Sequence, residues 1–354
     1  MESNQEDKKK LSRKGFLQLC GSVAAGTVIA GGTGSLLWKM FSKPDDVFYQ
    51  TGSQNTADNN NRSEFKSSYR KLSSFNADNE IEAFEVVGEH LIVVTPNNLN
   101  IYTAEGDLIN NFAIGSEVRD IAVYNDEIYV LFPTRIEVYL ADGGLVREWE
   151  ACSDNSDYCS LTVFGDHVFV TDAANKNICQ YHADGTLARF INSPKGFVVP
   201  SYSFSITHIG ETVYCSNPGR HLVESYSSDG QYLASFGEAG LAAGRFSGCC
   251  NPVFVTSSPT GEILTSEKGV PRISCYSPNG EFRSILLDQK ALGGGHDAYE
   301  VRIIDDDKVV VAGKKGITIY QYDEQLAMAS AQLSSASACA LCGIDCPLRV
   351  GVKI

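Results

Sequence analysis

Basic residues are in short supply. The 354-residue chain carries 29 Lys and Arg against 43 Asp and Glu, a formal net charge of −14. A nucleic-acid groove needs clustered cations to neutralise phosphate, so this balance argues against that class of partner. Catalytic signatures are missing as well. The chain has no G-x-S-x-G, no G-x-x-x-x-G-K-[ST] and no H-E-x-x-H. Those absences remove the nucleophile elbow, the phosphate-cradling loop and the two-histidine zinc helix. No C-x-x-C-H occurs, which removes covalent c-type haem on that motif.

What the chain does have is one short pattern written six times. A tyrosine stands four residues before a turn position at Tyr102–Gly106, Tyr139–Gly143, Tyr181–Gly185, Tyr226–Gly230, Tyr276–Gly280 and Tyr320–Glu324. Five copies end in Glu-Gly, Asp-Gly or Asn-Gly. That dipeptide between apolar runs predicts a hairpin whose two central residues sit at positive φ. Successive turns are 37, 42, 45, 50 and 44 residues apart, a spacing that belongs to blades or solenoid units. Each unit reads as four short strands rich in Val, Ile, Tyr and Phe. The second runs Val118–Val123, Glu127–Phe132, Arg135–Leu140 and Leu145–Glu150. A four-stranded unit cannot bury its own faces, whereas six arranged radially can. The expected fold is all-β, a six-bladed β-propeller over residues 69–333, with a β-sandwich as the plainer alternative. Tyr69–Phe75 reads as an extra strand that closes the ring on the sixth blade.

The units resemble NHL repeats. Phe236-Gly237 through Gly240, Gly244 and Phe246, then Pro252, is similar to the glycine-spaced lead-in of an NHL blade. Asp172 to Tyr181 is similar to that family's strand-turn-strand segment. The resemblance implies the propeller but not an activity, because propellers host many. Six-bladed lactonase-like enzymes hold calcium with carboxylates at the channel mouth, and inner-strand Asp120 and Glu300 are the carboxylates offered here.

Residues 1–41 read as an export signal and membrane anchor. Lys8 to Lys10 and Arg13-Lys14 form a basic start, and Gly15 to Trp38 is 24 residues without a charge. At ~1.5 Å per residue that run spans a bilayer. Ser12-Arg13-Lys14-Gly15-Phe16-Leu17 resembles a twin-arginine signal with lysine in the second position. No small-x-small cleavage site follows cleanly, so the expectation is a retained helix, its basic side cytoplasmic and the propeller in the periplasm of a bacterial envelope. Residues 42–68, dominated by Asn, Asp, Ser and Thr, read as a disordered tether.

The loop leading into each inner strand and the loop between second and third strands share one face, the top. On the fifth blade these loops carry Cys249, Cys250 and Asn251, then Glu267 and Lys268. His296 and Asp297 lead into the sixth. Asn251, Glu267, Lys268, His296 and Asp297 are the expected ligand-binding rim, for a protein partner or small ligand. The tail, residues 334–354, carries Cys339, Cys342 and Cys346 before Pro347. The run resembles the last three ligands of a bacterial ferredoxin, which implies an iron–sulfur site with Cys249 or Cys250 as the fourth ligand. Zinc is the second choice. Disulfides are the competing reading, with Cys152 and Cys159 as one expected pair. Cys179, Cys215 and Cys275 read as buried apolar residues. The expected function is a membrane-tethered binding module with a metal site for envelope electron transfer. The alternatives are a hydrolase or lyase working in the channel, or a disulfide-clasped propeller without metal.

Overall fold

The structure, a computed structural model, describes residues 67–305 and 307–328. The expected anchor, most of the tether and the cysteine tail lie outside the described residues. Among the described residues no helix is long and apolar enough to cross a membrane.

Six four-stranded antiparallel sheets follow one another around an axis. After β1 (Tyr69–Asn76), the first blade is β2 (Ala83–Val87), β3 (His90–Thr95), β4 (Asn98–Thr103) and β5 (Leu108–Ala113). The second is β6 (Asp120–Tyr124), β7 (Glu127–Phe132), β8 (Arg135–Leu140) and β9 (Leu145–Glu150). The third is β10 (Tyr158–Phe164), β11 (His167–Asp172), β12 (Asn177–His182) and β13 (Leu187–Ile191). The fourth is β14 (Ile206–Ile209), β15 (Thr212–Asn217), β16 (Leu222–Ser227) and β17 (Tyr232–Phe236). The fifth is β18 (Phe254–Ser257), β19 (Ile263–Glu267), β20 (Arg272–Tyr276) and β21 (Phe282–Leu287). The sixth takes β22 (Glu300–Asp305), β23 (Lys308–Ala312) and β24 (Gly316–Tyr322), and its outer strand is β1. Tyr69 pairs with Tyr322 and Asn76 with Gly316, so the first strand completes the last blade. The expected ring closure is therefore observed.

Blade packing explains the residue pattern. Second strands lie between neighbouring blades and are buried on both faces, and in the first three blades they are largely apolar. Leu91 to Val94 and Val168 to Val170 are all fully buried. Continuous apolar runs of this length are what a strand covered on both sides requires. Outer strands face solvent and mix polar with apolar residues; in β9 Leu145 and Val146 are exposed.

All six repeated tyrosines sit on the third strand of their blade. Each of the five glycines meets the outer strand of the preceding blade. A Cβ on Gly106 would lie 2.8 Å from the Phe75 ring, and one on Gly280 would lie 2.4 Å from Phe236. The tyrosines complete the same contact: Phe75–Tyr102 and Phe236–Tyr276 ring centroids are 5.2 and 5.0 Å apart. The repeat thus encodes the contact between blades. Its turn differs from expectation in one respect. Only the glycine has positive φ, as at Gly280 (+83°), and Asn279 before it does not. The Gly280 amide closes a turn on Ser277 O at 2.9 Å, and the ladder shifts register beside Tyr276. This is a turn followed by a glycine bulge rather than a two-residue turn with both centres left-handed. The sixth copy needs no glycine. The strand that carries Tyr320, β24, does not lead into a hairpin, because its outer partner β1 comes from before the first blade.

Polar side chains on or beside the first two strands stitch successive blades together near the channel. Glu82 accepts the Val118 amide at 3.1 Å, Ser160 Oγ accepts the Ile206 amide at 3.2 Å, and Ser205 Oγ accepts that of Val255 at 3.0 Å. Ser266 Oγ accepts the Tyr299 amide at 3.1 Å. Asp120 and Arg302 make the remaining two stitches, described next.

Candidate functional site

The six inner strands enclose an axial channel of about 1080 Å³. Inner strands alternate between blade interior and channel, so a charged residue flanked by apolar ones on such a strand faces the axis. Glu85 on β2, and Glu300 and Arg302 on β22, obey this rule; Asp120, which opens β6 after Arg119, shares the channel face with Ala122, and the four converge.

Arg302 is the centre. Its Nε lies 3.1 and 3.0 Å from the two Glu85 oxygens, joining the sixth blade to the first across 217 residues of sequence. Its Nη2 lies 4.0 Å from Asp120 Oδ1. Its guanidinium carbon stands 5.2 Å over the Phe84 ring, a cation–π contact. Asp120 joins the second blade to the third. It accepts Ser160 Oγ–H at 2.6 Å and the Leu161 amide at 3.0 Å, and also the Ile121 amide at 2.9 Å.

Burial in the channel wall pushes the Glu300 carboxyl up to about 8, against the pull of Arg302 and with further push from Asp120 and Glu85. Burial likewise raises Asp120 to about 6, opposed by Arg302 and the Ser160 and Leu161 hydrogen bonds. Burial thus favours the protonated form of Glu300 beside the Arg302 guanidinium, with Glu85 and Asp120 as the other two carboxyl groups. The group carries a net negative charge and one O–H donor. The cation that these carboxylates face is Arg302 itself, whose guanidinium already takes Glu85 and approaches Asp120. The donor set therefore does not fit the calcium site of the lactonase-like enzymes.

Farther along the channel, His208 Nδ1 and Thr162 Oγ1 are 2.6 Å apart, and the imidazole stacks on Phe164 at 4.5 Å. Burial lowers the His208 pKa, which favours the neutral ring. At the top mouth Tyr202 is 61% exposed, and both it and Ser201 hold positive φ (+55° and +59°).

The expected rim residues divide. Cys249 and Cys250 place their sulfurs 3.4 Å apart, the first exposed and the second buried. Burial pushes the Cys250 thiol up, but the Cys249 hydrogen bond and the Lys268 ammonium outweigh it and lower the pKa. Glu267 does not line the rim. It is fully buried, ion-paired to Arg272 Nε at 2.5 Å, and accepts the Ser247 amide at 2.9 Å. Asn251 is buried too, its amide holding Lys268 O at 2.9 Å while its Oδ1 accepts the Lys268 amide at 2.9 Å. His296 is exposed with Nδ1 3.0 Å from Gly269 O, and Asp297 lies 3.8 Å from Lys314 Nζ at the surface. Cys339, Cys342 and Cys346 lie outside the described residues. The expected Cys152–Cys159 pair is not formed: Cys152 Sγ lies 3.3 Å from Cys179 Sγ, and Cys159 Sγ faces Asp157 O at 3.6 Å. Glu85 and Arg302 escaped the motif reading, although a lone charge inside an apolar inner strand was the available signal.

No family profile matches the chain, and no curated protein is similar in sequence. Solved structures are. A protein of unknown function from Bacteroides thetaiotaomicron superposes with a TM-score of 0.53 at 10% identity, over 72% of this chain and 74% of that one. A catalytically inactive virginiamycin B lyase from Staphylococcus aureus, solved with quinupristin, superposes with a TM-score of 0.51 at 14% identity, over 73% of this chain and 99% of that one. At such identities the likeness shows the β-propeller fold alone.

Proposed function

We propose that this chain is a binding propeller, exported and tethered by residues 15–38, whose axial channel takes a small amine-bearing ligand from the top face. The observation that carries the reading is the convergence of Glu85, Asp120 and Glu300 on one arginine in a channel large enough for a small molecule. Three carboxyl groups against one guanidinium leave a negative surplus, so an ammonium is favoured and an anion opposed. The protonated Glu300 adds a donor for a hydroxyl or carbonyl oxygen.

Calorimetric titration with putrescine, spermidine and glucosamine, beside succinate and citrate, tests this. The amines should bind, and Glu85→Gln or Asp120→Asn should weaken them about tenfold or more, as loss of a charge-assisted contact implies. Binding of the dicarboxylates with no binding of amines would refute the reading.

One observation favours a second reading, a hydrolase or lyase. Asp120 and Glu300 titrate on either side of neutrality, which is how acid and base roles are separated on carboxyl pairs. Turnover of ester or lactone substrates by the wild type, abolished in Glu300→Gln, would establish it.

A further inference from the structure

We infer that Cys152 and Cys179 form a disulfide that fastens the connection between the second and third blades to β12. The inference stands on blade geometry and is independent of the channel reading.

Cys152 lies just beyond β9, on the loop leading into the third blade, and Cys179 lies 27 residues on, inside β12. Their sulfurs are 3.3 Å apart, roughly 1.3 Å more than a bond of ~2.0 Å. Closing that gap takes side-chain rotation shared between the two cysteines, since the whole shift at one of them would carry it off its rotamer. The loop is already held in place: the Cys152 amide donates to Tyr158 OH at 3.0 Å, and Tyr158 OH meets Tyr181 OH. The spacing of seven residues had favoured Cys159, but its thiol turns to the Asp157 carbonyl instead.

A metal is the rival for this pair, since the Asp172 carboxylate lies within 4.8 Å of both sulfurs. Asp172 is otherwise engaged. It accepts the Asp157 amide at 3.2 Å, the Asn175 amide at 3.1 Å and Asn175 Nδ2 at 2.8 Å. Those bonds make it a brace for the β11–β12 turn. Two thiols remain, and two thiols in contact are the substrate of an oxidant rather than a closed tetrahedral site.

The oxidant is a disulfide. Cys152, partly exposed, attacks it as thiolate, forms a mixed disulfide and releases one thiol. Cys179, fully buried, then attacks the Cys152 sulfur and releases the second. Two protons and two electrons pass from the protein to the oxidant, giving one protein disulfide and two thiols.

The test uses the full-length chain, reduced, then treated with oxidised glutathione, blocked with iodoacetamide and cleaved by trypsin without reductant. Cleavage after Arg147, Lys176 and Arg189 leaves Cys152 and Cys159 on one peptide and Cys179 on the next. Mass spectrometry should find the two peptides joined. The link should persist in Cys159→Ser and vanish in Cys152→Ser. Reducing the wild type should lower its Tm by about 5–10 °C, the value for a closed loop of this length in a domain of this size. Three results overturn the inference: both Cys152 and Cys179 alkylated; a Cys152–Cys159 link within the first peptide; or stoichiometric zinc that shields the thiols with no link formed.

Discussion

Replacing Glu267 with alanine should destabilise the protein by about 3–5 kcal/mol, the usual result of stripping one partner from a buried ion pair. Arg272 would be left with its side chain 8% exposed and no counter-ion, holding only the carbonyls of Leu241 and Arg245. The Ser247 amide would lose its acceptor. For a domain of this size the loss corresponds to a Tm drop of about 6–15 °C, read by circular dichroism. Two controls sharpen the measurement. Glu238→Ala breaks an ion pair with Arg245 whose side chains are 62% and 46% exposed, and should cost under about 1 kcal/mol. The double variant Glu267→Met, Arg272→Leu removes both charges together and should recover much of the loss, because the penalty lies in the orphaned charge. A Glu267→Ala protein that melts within about 2 °C of wild type, or a double variant that melts below Glu267→Ala, would refute this account of the residue.

Gly280→Ala should cost about 2–4 kcal/mol, since a Cβ there meets Phe236 at 2.4 Å on a backbone at φ +83°, while Gly165→Ala, at positive φ but in open space, should cost only about 1; urea midpoints compare them. Glu300→Gln should stabilise the protein at pH 9 and have little effect near pH 5. The folded state keeps the Glu300 proton up to about pH 8, against an ordinary value of 4.5, so that group's contribution is present below about 4.5 and lost as pH rises through 8. A difference between the two proteins that does not change with pH would contradict the shift. Deleting residues 67–76 should leave β24 as a bare edge and yield oligomers or aggregate on size-exclusion chromatography, where a stable monomer would show that closure is dispensable.

The fold was legible because its determinants are local and repeated. Tyr276 and Gly280 sit four residues apart, and each copy reports the same contact with the preceding blade. The turn type was misread because a positive φ at both centres and a glycine bulge use the same Asp-Gly or Asn-Gly text. The channel was only half legible. Asp120 and Glu300 could be placed on inner strands, but Glu85 and Arg302 meet across 217 residues, and pairing at that range leaves no spacing to read. Glu267 was misassigned for a related reason. A carboxylate beside a lysine in a turn reads as surface, until Arg272 and Ser247 are folded around it. The cysteines show the same limit: seven residues of spacing favoured Cys159 for Cys152, and the blade favoured Cys179.

Borrowing the outer strand of the last blade from the start of the chain has a consequence for synthesis. β1 leaves the ribosome about 250 residues before its partner β24, which at ~5–20 residues per second is about 12–50 s of waiting. Throughout that interval the Tyr69–Asn76 segment is an unpaired strand in a crowded solution. Arg70 and Lys71 put two positive charges on it, the kind of residue that discourages strand addition by strangers. Closure of the ring is therefore a late event. Five blades can form behind the ribosome one after another, but the sixth exists only when β1 meets β22 to β24, so a product truncated before β24 is an open arc that quality control can tell from a finished molecule.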